Sequence, residues 1–140
     1  MSSMTEIFGE VISSYSRAQA IEDGVLIDVD AIDEDMRREV GMLIPIALTK
    51  RVYAECVEVH PRAESEGEDI KGRLWDVLWM LHCRARASRP SGGASVEFGM
   101  FCTLPEGPSD GAAKEITLRA AIGCGDDGSP VITIMWPDES

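Results

Sequence analysis

Positive charge is what this sequence has least of. Thirteen Lys and Arg face 25 Asp and Glu, leaving a formal net charge of −12 over 140 residues. That balance repels phosphate backbones and anionic bilayers, so direct binding to nucleic acid or to an acidic membrane surface is excluded as the main role. No apolar run approaches the roughly 20 residues that cross a bilayer. The opening "MSSMTEIFGE" has neither the basic region nor the apolar stretch of a signal peptide. The expected location is cytoplasmic. The four cysteines, at 56, 83, 102 and 124, include no C-x-x-C pair, which argues against a zinc knuckle. In a cytoplasmic chain they are expected as four small, buried, reduced side chains. Histidine is limited to His60 and His82. Patterns of the G-x-S-x-G, H-E-x-x-H, P-loop and dinucleotide-glycine types are missing, so nothing asks for a metal or a cofactor.

What is present suits one acidic domain over residues 1–140. The apolar fraction is 44%, ordinary for a chain with a packed core. In "SYSRAQAIEDGVLIDV" the hydroxyl of Ser16 caps a short helix, Gly24 takes the left-handed conformation that stops it, and "VLIDV" reads as a strand. "DAIDEDMRREVGM" holds one helical turn or a short helix. After an extended approach at Pro45, Thr49 caps a second helix whose Val52, Tyr53, Cys56 and Val57 share a face. "HPRAESEGEDIKG" is an exposed loop.

The segment from Ile70 to Ser88 is the best helix. Ile70, Leu74, Val77, Leu78 and Leu81 form its apolar stripe, flanked by Trp75 and Trp79, and a tryptophan left half-exposed is a candidate contact. The period then changes from 3.6 to two. "SVEFGMFCTL", "KEITLRAAIG" and "PVITIMW" read as three strands joined by turn-rich connectors. Folding the connectors as hairpins pairs Met100 with Leu118, Leu118 with Met135, and Cys102 with Ile116. The resulting expectation is an α+β fold: a three-stranded antiparallel meander, with "VLIDV" as a candidate extension, packed against the long helix plus short N-terminal helices. Met100, Leu118, Met135, Leu74 and Leu78 are expected to meet in one core.

Each chemical motif has a plainer reading. The carboxylates of Asp28–Asp35 suggest a cation loop, but the glycine that calcium loops need at the tight turn is absent. "GCGDDG" leads from strand to strand rather than into a helix, so it reads as a hairpin turn and not a phosphate cradle. His82 and Cys83 are adjacent on a helix and point about 100° apart, which does not suit a base–nucleophile pair.

Three segments, "YSRAQAIEDGVLIDV", "ALTKRVYAEC" and "GRLWDVLWML", together resemble a family of short uncharacterised proteins encoded by phages, plasmids and other mobile elements. The likeness runs from about Phe8 to Trp136, and the meander is its least distinctive part. It implies a small accessory protein of a mobile element and carries over no catalytic residue. By analogy with compact acidic proteins of that setting, it implies a non-enzymatic, anti-CRISPR-like inhibitor of a host defence or nucleic-acid-handling complex, acting either by acidic-surface mimicry of nucleic acid or by steric occlusion. The expected partner is a host protein or ribonucleoprotein with a basic surface. Two acidic patches are candidates for the contact: Asp30, Asp33, Glu34 and Asp35 in one, and Glu64, Glu66, Glu68 and Asp69 in the other. Tyr53 and Trp79 are the candidate anchors. The alternatives are a metal-dependent enzyme using the Asp28–Asp35 carboxylates and a homo-oligomeric structural accessory protein.

Overall fold

The computed structural model describes residues 16–58, 69–87, 95–105 and 113–139. The hydroxyl of Ser16 accepts from Gln19 N–H at 3.0 Å and opens helix α1 (Arg17–Glu22). Gly24, at φ +79°, ends the unit in the left-handed region that other residues avoid. Strand β1 (Leu26–Asp28) follows. It is shorter than "VLIDV", because the Asp28 carboxylate accepts from Asp30 N–H at 3.1 Å and turns the chain into helix α2 (Val29–Ile32). The acidic segment therefore holds two short helices, the second being α3 (Met36–Val40), closed by Gly41 at φ +105°.

Strand β2 (Ile46–Thr49) ends where the Thr49 hydroxyl accepts from Val52 N–H at 3.2 Å and caps α4 (Lys50–Val52). That turn runs straight into a π-helical turn, Tyr53–Val57. The long helix α5 (Ile70–Ala87) and strands β3 (Ser95–Cys102), β4 (Lys114–Cys124) and β5 (Pro130–Met135) complete the described chain.

The five strands form one sheet in the order β1-β2-β5-β4-β3, antiparallel except for the β2–β5 pair. The architecture is α+β and contains the meander. Strand β1 joins the sheet only through β2, where the sequence pattern predicts no more than an extended approach at Pro45. Ile46, Ala47 and Leu48 are all buried, so β2 lacks the alternation that marks a half-exposed strand.

Two registers differ from expectation. Phe98 lies opposite Leu118, Met100 opposite Ile116, and Cys102 opposite Lys114. That shift of two residues keeps each side chain on its face. Between β4 and β5 the shift is one residue: Met135 lies opposite Arg119, and Ile134 opposite Ala120. A one-residue slip reverses the faces. Ile132 and Ile134 therefore enter the core, and Met135, although buried, turns to the other side of the sheet. "VITIM" is apolar on both faces, so alternation does not choose between them. The connecting turn does: Gly125 N–H donates to Ser129 O at 2.7 Å, Gly128 sits at φ +86°, and Cys124 is left opposite Pro130.

The core joins the stripe Leu74, Val77, Leu78 and Leu81 of α5 to Phe98, Met100, Leu118 and Ile134 of the sheet, with Val29, Met36 and Val40 closing it from α2 and α3. All four cysteines are free thiols; Cys56 and Cys102 are buried, and Cys83 and Cys124, contrary to expectation, are exposed. Among the described residues, no helix is long and apolar enough to cross a membrane.

Candidate protein-binding face

Because α5 buries only one stripe, its remaining surface is available for contacts. Lys71, Trp75, Trp79 and His82 are spaced by four, four and three residues, which puts them on a second stripe. Trp75 is 36% exposed and Trp79 44%. Their ring centroids are 6.3 Å apart, with planes within 8° of parallel. The His82 ring continues the row, 5.5 Å from Trp79 and tilted by 32°. Met80 is exposed beside it.

Both ends of the row are held. Lys71 Nζ lies 3.5 Å from Asp33 Oδ2. His82 rests on Gly41, where an added Cβ would come within 2.9 Å of the imidazole Cε1. The row therefore runs alongside residues 33–41, the outward edge of α3.

That edge is acidic, and its carboxylates have different tasks. Asp30 grips the buried Arg37, with Nε to Oδ1 at 3.1 Å and Nη2 to Oδ2 at 3.0 Å. Asp33 Oδ1 accepts from Asp35 N–H at 3.0 Å and Met36 N–H at 3.1 Å. Those backbone donors, the Asp35 amide foremost, hold the Asp33 carboxyl below its ordinary range, with Lys71 adding to the effect. Glu34, Asp35 and Glu39 are exposed. Among the described residues, no group of three or more His, Cys, Asp or Glu side chains is arranged to hold a metal ion.

The sheet's other side carries a groove of about 590 Å³ lined by Val25, Leu26, Thr133 and Met135, among others. Part of its polar lining is engaged within the protein. Thr133 accepts from Arg17 at 2.8 Å, Thr49 donates to Glu139 at 2.8 Å, and Arg51 pairs with Asp138 at 3.1 Å.

A family of unknown function, DUF6573, matches residues 4–140. The chain belongs to DUF6573. No curated protein and no solved structure matches it.

In this DUF6573 chain the expected site residues separate. Asp33 reaches α5 through Lys71, with Glu34 and Asp35 exposed directly after it and Trp79 exposed on α5, whereas Asp30 lies in α2 and is taken up by Arg37. Asp69 instead caps α5, accepting from Gly72 N–H at 2.6 Å. Glu64, Glu66 and Glu68 lie outside the described residues. Tyr53 is half-buried and packs against the core at the start of the π-helical turn, which leaves Trp79 as the more open anchor.

Met80 and His82 are exposed or half-buried on α5 without having been singled out for a contact. The legible signal was the pair Trp75 and Trp79, four residues apart and outside the apolar stripe. Arg73 was missed for a different reason. It lies on the core side of α5, only 3% exposed, and its Nη2 donates to Glu55 O at 3.0 Å and Thr103 O at 3.1 Å. It thereby ties a carbonyl of the π-helical turn and the end of β3 to the long helix, a role that only the folded chain creates.

Proposed function

We propose that this DUF6573 protein is a non-enzymatic binding protein of a mobile element, acting in the cytoplasm to inhibit a host defence or nucleic-acid-handling complex in an anti-CRISPR-like manner. One observation carries the reading: the exposed Trp75–Trp79 pair lies on the helix that segment 33–41 meets at Lys71 and at His82, and that segment carries the exposed Glu34, Asp35 and Glu39. Tryptophans left in water forgo a large transfer free energy, and such residues dominate interface energetics when a partner covers them. Carboxylates around an aromatic centre steer a basic surface towards it and set its orientation, adding to encounter rate more than to affinity. The net charge of −12 favours the same partner class, a protein or ribonucleoprotein whose basic surface otherwise meets nucleic acid. Of the two mechanisms, occlusion anchored by the tryptophans fits this face better than mimicry of nucleic-acid charge alone, because a regular charge array needs no aromatic centre.

The test uses full-length protein and purified nucleic-acid-handling complexes of the host, with affinity measured at low and high salt. Wild type is expected to bind one of them and block its activity. The combined Trp75→Ala and Trp79→Ala variant is expected to raise Kd at all salt concentrations. The combined Glu34→Lys, Asp35→Lys and Glu39→Lys variant is expected to raise it chiefly at low salt. Full binding by both variants, or turnover of a substrate by the purified protein, would overturn the proposal.

A further inference from the structure

We propose that the Trp75–Trp79–His82 row is an arginine platform, on which guanidinium groups of a basic segment of the partner stack. The inference rests on the binding-protein reading above and names the chemistry that the face selects.

The row is already organised. Trp75 and Trp79 stack along one helix stripe with the tilted His82 ring following, Lys71 pairs with Asp33 at one end, and His82 rests on Gly41 at the other. Little side-chain freedom remains to be lost on binding, so contact energy is retained as affinity. A row of flat rings accepts flat groups, of which three are common: nucleobases, aromatic side chains and guanidiniums.

Charge decides among them. The segment 33–41, which meets α5 at Asp33–Lys71 and at Gly41–His82, carries the exposed carboxylates Glu34, Asp35 and Glu39. The nearby cations are Arg38 and, on α5 itself, Lys71 and Arg86; Lys71 is engaged by Asp33, and Arg86 stands one turn beyond His82 at the far end of the row. Nucleobases arrive with phosphates, which this edge repels. An aromatic side chain gains nothing from the carboxylates. A guanidinium uses both features, stacking its plane on an indole while its N–H fork reaches a carboxylate. Lysine satisfies the charge but has no plane to stack, so the face should prefer arginine to lysine at equal charge.

The probes are hexa-arginine and hexa-lysine peptides, titrated into the full-length protein while tryptophan fluorescence is followed. Hexa-arginine is expected to change the emission and to bind about ten-fold more tightly than hexa-lysine, within the range of an indole–cation contact. Trp79→Leu and, independently, Trp75→Leu are expected to remove most of that preference while the far-ultraviolet circular dichroism stays unchanged. Glu34→Gln with Asp35→Gln is expected to weaken both peptides alike. Equal affinity of wild type for the two peptides overturns the platform, and so does an arginine preference that survives both tryptophan substitutions. In either case salt-sensitive binding of both peptides leaves the charge-led reading standing. If neither peptide binds, the platform and the attraction to basic surfaces fall together.

Discussion

The guanidinium of Arg37 meets the Asp30 carboxylate in a two-pronged contact, 3.1 Å and 3.0 Å long, that fixes α2 against α3. Arg37 also donates from Nη1 to Met42 O at 3.2 Å, so the buried cation serves the end of α3 as well. Asp30→Ala leaves that cation without its counter-charge. Breaking a fully buried pair costs about 3–5 kcal/mol. The Asp30 side chain is 34% exposed, so water offsets part of the loss and a cost of about 2–3 kcal/mol is expected. Urea denaturation checks it, and an unchanged midpoint would show that the pair contributes nothing.

Acid should loosen the protein at two carboxylates. Asp33 is held below its ordinary range by the Asp35 and Met36 amides, and Asp126 by the Ala18 and Arg17 amides at the start of α1. A carboxyl with a lower pKa in the folded state stabilises the fold above its unfolded value of about 4, and that contribution disappears as pH falls through the lower folded value. Melting temperature should therefore drop below about pH 4. Asp33→Asn and Asp126→Asn should each make the drop shallower. Identical slopes in wild type and both variants would refute the assignment.

The phase of α5 can be tested on neighbouring residues. Leu78 is fully buried, and Leu78→Asp places an unpaired charge in the core at a cost of several kcal/mol, comparable to the stability of a whole domain. Trp79→Asp alters the exposed row and should shift stability by less than about 1 kcal/mol, as surface substitutions generally do. Circular dichroism melts of the pair should show one unfolded and one folded protein.

Thiol chemistry should report the two cysteine environments separately. Cys83 and Cys124 are exposed and are expected to react with a disulfide reagent in the native protein. Cys56 and Cys102 are buried and should react only after denaturation. The hydrogen bond with Cys102, followed by burial, pushes the Cys56 thiol up, so it has little thiolate with which to attack. Four thiols reacting at one native rate would contradict the fold around the π-helical turn.

Much of this architecture was legible wherever a local rule had only one answer. Ser16 and Thr49 cap helices because a hydroxyl at that position satisfies the free N–H groups of the next turn. The stripe Leu74, Val77, Leu78 and Leu81 can be buried only if α5 lies on the sheet by that side. Legibility ended where two answers were locally equal. "VITIM" offers two apolar faces, and only the Gly125–Ser129 turn put Ile134 inside and Met135 out. "IPIAL" shows no alternation, and only its place between β1 and β5 makes it a strand.

The candidate face divides in the same way. The acidic excess, the absent catalytic patterns and the two tryptophans four residues apart all follow from composition and helical period, and the proposed binding role starts from them. Which carboxylates serve the fold and which face outward was decided by tertiary contacts: Asp30 by the buried Arg37, Asp33 by the Met36 amide and Lys71, Asp69 by the start of α5. A sequence lists charges without their partners. Only the packing of α3 along α5, with His82 seated on Gly41, set the aromatic row beside Glu34, Asp35 and Glu39, because contacts between residues some forty positions apart depend on how elements dock and not on any local period.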